Sequence, residues 1–406
     1  MPVQTPFHPR TSALCSSLFW KEWAGYHAVR SYDTCHEREY HAIRHAAGLI
    51  DVTPLYKYDV TGPDAAALLS RVMVRNIARL KTRQVTYCCW CDDAGKVMDD
   101  GTVWKLGKHR YRVTAAEPTY SWLLESARGL DVRVEDITDR LAALALQGPR
   151  ARDIVVAAIE PEGRSLAELK FFRLARGTVR GPRGAHPVIV TRTGYTGDLG
   201  YELWVDREHA LDLWDAVFEA GRPHGIWPAG IDALDVTRVE AGFIMNGVDY
   251  FSAHHCLLET RKSTPYELGL GWTVDLERAP FIGQAALKRE RARGSSWALA
   301  GVVYDWDAYE ELHARFGLPP QVPSGACRTG VPIYGTLGAA RRQIGYATTT
   351  AWSPLLKQYL GLATLEARHA SVGARVDVEV TVEYRRHRIP ATIVETPFYN
   401  PARKRA

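Results

Sequence analysis

The sequence predicts an α+β protein that ends in a small all-β barrel or sandwich. A chain of 406 residues is long enough for roughly two to three domains of ordinary size. Segments with helical periodicity and segments with strand-like alternation are interspersed up to residue 290. From residue 297 onward, short alternating runs with frequent turn residues replace the helical patterns. We therefore expect an α+β region over residues 1–290, a linker over residues 292–296 and a β-barrel domain over residues 297–406.

The composition is that of an ordinary globular protein and excludes several functional classes. Hydrophobic residues make up 46% of the chain and charged residues 24%, which supplies a large core and argues against disorder. The net charge of +5 is small and lacks the clustered basic excess of a nucleic-acid binder. No apolar stretch has the length of a signal peptide or of a membrane span. We expect a cytoplasmic protein that binds neither nucleic acid nor membrane.

The first elements follow from the positions of caps, breakers and alternating residues. A helix is predicted over residues 37–49, ending near Gly48, and a strand over residues 56–62, YKYDVTG. Pro63 and Asp64 then open a second helix, which carries Leu68 and Leu69.

Residues 84–91 and 96–104 are predicted to form a β-hairpin. They flank Asp92-Asp93-Ala94-Gly95, and Asp and Gly tolerate the positive φ angles that tight turns need. The second strand carries adjacent carboxylates, Asp99 and Asp100, which strand alternation directs to opposite faces. If one of the two carboxylates faces a cleft or the core, then only the other one can face water. From the residues alone, an ordinary acidic strand face is the competing interpretation.

Two helices are predicted in the middle of the chain. Residues 210–221 place their apolar side chains at helical spacing, which is typical of core scaffold. In the helix over residues 231–242, Arg238 lies on the same stripe as Ile231 and Leu234. An arginine there needs a carboxylate, either across an internal site or nearby at Asp235 or Glu240, unless it extends to solvent from the edge of the stripe.

The β domain is predicted from four alternating runs and from what the chain lacks. Neither a GxGxxG dinucleotide fingerprint nor a P-loop occurs, so we expect no nicotinamide, flavin or nucleoside-triphosphate site of the usual kinds. The runs are VPIYG (331–335), QIGYATTT (343–350), ARVDVEVTVEY (374–384) and HRIPATIV (387–394).

The seven cysteines are an odd number spread thinly over the chain, so we expect reduced thiols. Cys89 and Cys91 would share a strand face, and His254, His255 and Cys256 could complete a zinc-like set. Neither cluster has CxxC spacing, and we therefore expect no metal site.

Taken in order, the motifs resemble the aminomethyltransferase family, the folate-dependent one-carbon transferases that include the glycine cleavage T-protein. The resemblance spans nearly the whole chain. It implies a T-protein-like three-part fold around a central folate channel, with two interleaved α+β subdomains and a C-terminal β-barrel. The motifs are LIDVTPLYKYDVTGPDA (49–65), QVTYCCWCDDAGKVMDDGTV (84–103), LALQGPRA (144–151), TRTGYTGDLGYELWV (191–205), GIDALDVTRVEAGF (230–243), TPYELGLGWTVDLERAPFIGQAAL (264–287), IGYATTTAWSP (344–354) and PFYNPARK (397–404).

The resemblance also implies the site residues and the cofactor, tetrahydrofolate. Asp100 stands at the position of the catalytic aspartate, and Tyr87, at that of a channel tyrosine, is assigned both catalysis and cofactor binding. Tyr195 and Glu202 match pterin-contacting positions, and Arg238 matches a nearby motif arginine of the cofactor site. The residue types suit these roles, because a carboxylate can orient a cationic donor and a glutamate can accept paired N–H groups of a pterin. Tyrosines supply flat faces for the ring.

The sequence departs from the family pattern near the substrate end. Gly101-Thr102-Val103 follows Asp100 where the family has Leu-Ile-Val, and Thr53-Pro54-Leu55 stands where the T-protein has Ser-His-Met. Ala115 stands where an asparagine is expected. Tyr195 and Glu202 are unaffected. We infer that folate binding is kept while the one-carbon donor differs.

The favoured function is a stand-alone tetrahydrofolate-dependent methyl, methylene or aminomethyl transferase with a small donor. An N-linked donor suits the aspartate best, because a carboxylate pairs with a cationic amine. An O-methyl donor, the O-demethylase alternative, would need an acid such as Tyr56 or Tyr87. Aromatic residues of the N-terminal segment are predicted to close a pocket over the donor; they are Trp20, Trp23, Tyr26, Tyr32 and Tyr40.

Three further readings involve partners or no catalysis at all. A T-protein proper takes its aminomethyl group from a lipoyl carrier protein. A subunit of a flavin amine oxidase would take a formaldehyde equivalent from its partner chain. A non-catalytic folate-binding protein of the iron–sulfur assembly type would carry Lys-Gly-Cys, and no cysteine of this chain follows Lys-Gly.

Overall fold

The computed structural model describes residues 1–337 and 340–406 of the chain. Within these ranges, no helix is long and apolar enough to cross a membrane. The part before residue 141 contains the helices α1 (His8–Leu14), α2 (Glu37–His45), α3 (Ala65–Val72) and α4 (Tyr120–Ser126) and the strands β1 (Phe19–Trp23), β2 (Tyr26–Ser31), β3 (Ala47–Asp51), β4 (Tyr56–Thr61), β5 (Val85–Cys91), β6 (Val97–Gly107), β7 (Arg110–Ala115) and β8 (Arg133–Asp136).

The middle of the chain adds further helices and strands up to residue 293. The helices are α5 (Ala151–Ala158), α6 (Ala210–Gly221), α7 (Ile231–Glu240) and α8 (Gln284–Arg293), and the strands are β9 (Leu141–Gln147), β10 (Ile159–Pro161), β11 (Leu174–Gly181), β12 (Gly184–Thr191), β13 (Gly200–Asp206) and β14 (Ile226–Pro228).

The last part is mostly β. It contains the helix α9 (Trp306–Ala314) and the strands β15 (Trp297–Tyr304), β16 (Val331–Leu337), β17 (Ala340–Ser353), β18 (Gln358–Glu366), β19 (Arg375–Val382) and β20 (Arg385–Val394).

The described strands form two large sheets and a barrel. One sheet has the order β10-β11-β12-β13-β9-β3-β14, and the other has the order β5-β6-β7-β4-β8. Strands β1 and β2 pair with each other, and β15 to β20 close into a barrel. The predicted α+β class and the C-terminal barrel are confirmed.

The larger sheet is buried on both faces, which its sequence reflects. Strand β9, LAALALQ, is buried at every position, as expected for a strand covered on both sides. The apolar stripe of α6, with Leu213, Trp214 and Val217, packs with α5 against one face. Apolar residues of α7 pack with the other face and with barrel strand β18. The sheet is therefore the shared core of the first and last parts of the chain.

The predicted β5–β6 hairpin is present, and it sets the register of the acidic pair. Cys89 of β5 pairs with Asp100 of β6, and the turn between the strands places Gly95 at a positive φ of 75°. Next to Asp100, a Cβ on Gly101 would lie 1.9 Å from the carbonyl oxygen of Thr114 on β7. The glycine therefore allows β6 and β7 to approach closely beside the carboxylate.

Two predicted boundaries and one predicted pocket require correction. Helix α2 ends at His45, because the residues that follow enter strand β3 of the buried sheet. Helix α8 runs through Arg293, so the first two residues of the predicted linker 292–296 are helical. The side chains of Tyr26, Tyr32 and Tyr40 are buried, and the Tyr26 hydroxyl donates to Asp139 at 2.6 Å. These three tyrosines are core residues, which corrects their assignment to a donor pocket.

A buried polar network joins the three parts of the chain. The Glu240 carboxylate at the end of α7 accepts hydrogen bonds from Tyr40 and Arg44 of α2 and from Ser353 of β17. The segment after the barrel returns to this point: its Tyr399 backbone N–H donates to the Glu240 carbonyl oxygen at 2.8 Å. The network fixes α2, α7 and the barrel relative to one another.

Candidate active site

Asp100 lies where the hydroxyl groups of two tyrosines converge, one from the same hairpin and one 150 residues away. Its Oδ2 accepts a hydrogen bond of 2.7 Å from the Tyr87 hydroxyl of β5, and its Oδ1 accepts one from the Tyr250 hydroxyl. The side chain is partly buried, so it keeps a surface that a ligand can reach. Tyr250 comes from the loop after α7, and strand pairing brings Tyr87 to the same side of the hairpin as Asp100.

Asp99, the neighbouring carboxylate, points into the protein and is 1% exposed. Its Oδ2 accepts the backbone N–H groups of Ala116 at 3.0 Å and Glu117 at 2.8 Å. Its Oδ1 accepts the Asn246 side-chain amide at 3.0 Å and lies 3.4 Å from the Tyr250 hydroxyl. The two aspartates therefore lie on different faces of the strand, as alternation predicts, yet both reach Tyr250.

The charge environment of this pair is unusual, because no cation forms an ion pair with either carboxylate within residues 1–337 and 340–406. Burial raises the pKa of Asp100, and the hydrogen bonds from Tyr250 and Tyr87 oppose this shift. Burial, and then the charge of Asp100, raise the pKa of Asp99. Raised carboxyl pKa values caused by burial are found at many catalytic acids and bases.

Glu202 of β13 forms a second carboxylate centre. Its Oε2 accepts the hydroxyl of Thr193 at 2.8 Å and that of Thr191 at 3.3 Å. No donor to its Oε1 is present in the described part of the chain, and this oxygen is free to accept from a ligand. Burial raises the pKa of Glu202, and the two threonine hydroxyls oppose the shift. Paired N–H donors of a bound ring would satisfy such a carboxylate.

Aromatic rings line the space near these carboxylates. Tyr195, two residues after Thr193, stacks on Phe243 with ring centroids 5.6 Å apart. Tyr87 stacks on Trp272 at 6.2 Å, and Trp272 is 63% exposed. The predicted residues Tyr87 and Tyr195 thus both present rings beside a carboxylate, and Trp272 extends the Tyr87 wall towards solvent.

Arg238 is committed to internal partners. Its side chain has no exposed surface, and its guanidinium forms ion pairs with Asp235 at 2.8 Å and with Asp249. It also donates to the Thr349 hydroxyl at 2.9 Å and to the Phe243 carbonyl oxygen at 3.1 Å. Burial lowers its pKa, but Asp249 and Asp235 outweigh burial and raise it overall. A direct contact between Arg238 and the cofactor stays a prediction, and these contacts favour a role in positioning Phe243.

The residues that depart from the family pattern, and their neighbours, form specific hydrogen bonds. Thr102 on β6 and Thr114 on β7 share a hydrogen bond of 2.6 Å, so polar side chains stand in the strands next to Asp100. The Lys57 ammonium group is buried and donates to the carbonyl oxygens of Thr53 at 2.7 Å and Leu55 at 2.6 Å. Burial lowers the pKa of Lys57 to about 7. The divergent segment 53–55 is thus held in place from inside.

Sequence reasoning missed Tyr250, Asn246 and the role of Asp99. The first two lie in the irregular segment after α7, where no periodicity indicates which side chains turn inward. The only signal was the density of polar residues in that segment. The predicted Tyr87, Asp100, Tyr195 and Glu202 all lie beside ligand-accessible carboxylates or rings.

The donor set fits a folate better than a metal. Within residues 1–337 and 340–406, no group of three or more His, Cys, Asp or Glu side chains is arranged to hold a metal ion. The free acceptor on Glu202 and the rings of Tyr195 and Tyr87 match a flat heterocycle that carries N–H donors.

Comparison with known proteins agrees with this site. The GCVT N-terminal domain matches residues 11–278, and the glycine cleavage T-protein C-terminal barrel domain matches residues 315–400. The chain therefore belongs to the glycine cleavage T-protein family of aminomethyltransferases. It is an enzyme of this transferase family.

Individual relatives differ in how much of their length the chain spans. Over 100% of its length, the chain is 34% identical to trimethylamine-oxide aldolase of Ruegeria pomeroyi, and it spans 48% of that protein. It is 32% identical to aminomethyltransferase of Caldanaerobacter subterraneus over 89% of its own length and 87% of the relative. The crystal structure of aminomethyltransferase T from Bartonella henselae has the same fold, with a TM-score of 0.81 and 22% identity over 98% and 99% of the two chains.

Proposed function

We propose that this protein transfers a one-carbon unit from a small methylated or aminomethyl donor to tetrahydrofolate. Tetrahydrofolate would supply the nitrogen that accepts the carbon. Membership of the aminomethyltransferase family supports the reaction class. In this proposal Glu202, Tyr195 and Tyr87 bind the cofactor, and Asp100 acts on the donor.

The proposal rests mainly on the environment of the Asp100 carboxylate. It is partly accessible, it accepts hydrogen bonds from Tyr87 and Tyr250, and no cation of the described residues neutralises it. A cationic nitrogen or carbon of a donor would therefore find an unpaired anion at the reaction point. This favours an N-linked donor over an O-methyl donor, which would need Tyr87 or Tyr56 as an acid.

In this proposal, different residues of the chain bind the cofactor and act on the donor. Glu202 accepts N–H groups of the cofactor through its free Oε1, and the aromatic rings exclude water from the flat faces. Asp100 orients the cationic donor and accepts or returns the proton at its carboxylate during transfer. Lys57 keeps segment 53–55 in place beside them.

Calorimetric titration with tetrahydrofolate tests the binding half of the proposal. Wild-type protein should bind, and Glu202→Ala should weaken binding by about 2 kcal/mol or more, about 30-fold in Kd, because charge-assisted hydrogen bonds are lost. Glu160→Ala, at a glutamate whose side chain is 61% exposed, is the matched control and should bind like the wild type. Wild-type affinity in Glu202→Ala would refute the binding assignment.

A second candidate function is the capture of a one-carbon aldehyde delivered by another protein. An aldolase that acts on trimethylamine oxide would release such an aldehyde, and this chain corresponds to only 48% of the relative of that name. Turnover of free N-methylated amines by the isolated chain, followed as one-carbon-substituted folate by mass spectrometry, would favour the first candidate. Folate binding without turnover of any free donor would favour the second.

The partner assignments remain predictions. Neither a lipoyl carrier protein nor a flavin oxidase subunit is tested by the contacts described above. Co-purification of a yellow partner chain, or stimulation of turnover by an aminomethylated lipoyl carrier, would decide between them. The cytoplasmic location also stays a prediction.

A further inference from the structure

The Tyr250 hydroxyl lies between the carboxylates of Asp99 and Asp100. It donates to Oδ1 of Asp100, and its oxygen lies 3.4 Å from Oδ1 of Asp99. A phenol carries one proton and two lone pairs, so it can accept from one carboxyl group while it donates to the other. Tyr87 also donates to Asp100 but forms no hydrogen bond with Asp99 in the described part of the chain. Tyr250 is therefore the bridge between the two acids.

The carboxyl groups of Asp99 and Asp100 are most stable when they hold one proton between them. Two carboxylates that share a phenol, with no cation of the described residues ion-paired to them, repel each other if both are ionised. Asp99 is the more enclosed of the two, at 1% exposed, whereas Asp100 keeps a surface towards the ligand. The neutral form is therefore favoured at Asp99 and the charged form at Asp100.

Burial raises the pKa of Asp99 overall and outweighs the hydrogen bonds from Asn246 and the Glu117 backbone, which lower it, and the geometry accommodates a neutral carboxyl group. Its Oδ2 accepts two backbone N–H groups, as a carbonyl oxygen does. Its Oδ1 faces Tyr250 and also accepts from Asn246, so a proton on this oxygen can point at the phenol. Every polar atom of the carboxyl group then has a partner.

We propose that Asp99 is the proton store of this site and that Tyr250 passes the proton between Asp99 and Asp100. In one direction, Asp99 gives its proton to the Tyr250 oxygen while Tyr250 gives its own proton to Asp100. Asp99 is then ionised, Asp100 is neutral, and the phenol is unchanged. One proton has moved and the total charge of the trio stays at one negative unit.

The role of this proton relay in catalysis rests on the proposed function. A one-carbon transfer removes a proton from the accepting nitrogen and supplies one to the leaving amine, so the acid beside the reaction must change its protonation state twice. A store behind Asp100 lets that residue be ionised beside a cation and neutral when it delivers a proton. Asp99 and Tyr250 act through Asp100 and are positioning and relay residues.

Other titratable groups face the trio from every element packed around it. Cys88 and Cys89 are the thiols on β5, Tyr58 is the phenol on β4, and Glu117 lies after β7. Arg75 donates to the Tyr87 carbonyl oxygen at 3.4 Å, and Arg75 and Arg278 both act electrostatically on Cys88. Tyr195 interacts electrostatically with Asp100 and with the Arg238 and Asp249 pair. None of the described residues among these forms an ion pair with Asp99 or Asp100.

The test follows carboxyl protonation in the ligand-free protein. Carbon-13 NMR of selectively labelled aspartate should show the carboxyl groups of Asp99 and Asp100 titrating above the ordinary aspartate range, Asp99 the later of the two. Asp99→Asn and Asp100→Asn assign these signals and separate them from that of Asp51, whose pKa burial also raises. Tyr250→Phe should move both titrations, because the phenol contacts both acids. Tyr87→Phe, the matched control, should move mainly that of Asp100. An Asp99 signal that ionises in the ordinary range, or that Tyr250→Phe leaves unmoved, would overturn the relay.

Kinetics give a second readout once a donor has been identified. Asp99→Asn and Tyr250→Phe should each lower kcat by about 10²-fold, the lower end of general acid–base effects, while tetrahydrofolate affinity stays near wild type. The double variant should lose no more than either single variant, because both changes cut one path. Multiplied losses would overturn the proposal. Since the NMR titration needs no folate, a protein that fails to bind tetrahydrofolate would refute the proposed function without deciding the relay.

Discussion

Replacement of Arg238 by methionine should destabilise the protein through the carboxylate left behind. Arg238 has no exposed surface and pairs with Asp235 and Asp249. Asp235 keeps a second partner in Arg328 at 2.7 Å, but Asp249 would retain only hydroxyl and backbone donors such as Thr349. Removing one partner of a buried ion pair costs about 3–5 kcal/mol, and we expect a loss in this range.

The assay is urea denaturation followed by the fluorescence of the 12 tryptophans. Arg238→Met with Asp249→Asn in the same chain should recover about 2 kcal/mol, since no unpaired buried charge remains. Arg328→Met is the control and should cost less than about 1 kcal/mol, because its side chain is 30% exposed. Equal losses in the single and double variants would refute the reasoning. If the double variant is stable yet binds tetrahydrofolate poorly, Arg238 serves cofactor binding, either directly or by positioning Phe243.

Three further predictions concern catalysis, pH and strand packing. Asp100→Asn should keep the tetrahydrofolate titration of the wild type and lower turnover by about 10²- to 10⁴-fold; unchanged turnover would exclude a catalytic role. The free energy of unfolding, measured by urea denaturation, should rise between pH 7 and 10.5 in the wild type relative to Lys57→Met. The reason is that in this pH range the lysine of the unfolded chain binds a proton that the buried amine of the folded protein has lost. Parallel pH curves would contradict this. Gly101→Ala should lower the urea midpoint and cost about 1–3 kcal/mol, because the new Cβ would lie 1.9 Å from the carbonyl oxygen of Thr114. Gly107→Ala on the same strand should leave the midpoint unchanged, because the atom nearest to its new Cβ lies at 3.9 Å.

Local chemistry made much of the fold predictable. The Asp-Asp-Ala-Gly turn and its flanking strands gave the hairpin, and the alternating runs gave the barrel strands, because turn preference and side-chain alternation are short-range properties. The end of α2 was missed because strand β3 is apolar on both faces and continues the hydrophobic run of the helix. Periodicity does not separate the two cases.

The candidate site was predictable only where a motif carried it. Asp100 and Glu202 lie on strands within recognisable motifs, whereas Tyr250 and Asn246 reach Asp99 from an irregular segment about 150 residues away. Such a contact depends on the tertiary path of the chain. For the same reason, Asp249 was not foreseen as the partner of Arg238.

The return of the last segment onto the first half has a consequence for synthesis on the ribosome. Asp198 accepts a hydrogen bond from Arg403 at 2.7 Å, and these residues are 205 positions apart. Among the residues that the structure describes, the other counterion of this carboxylate is Arg44, at 3.6 Å, and both side chains are fully buried in the folded protein. A nascent chain that has not yet reached Arg403 therefore lacks one of the counterions that Asp198 has in the folded protein.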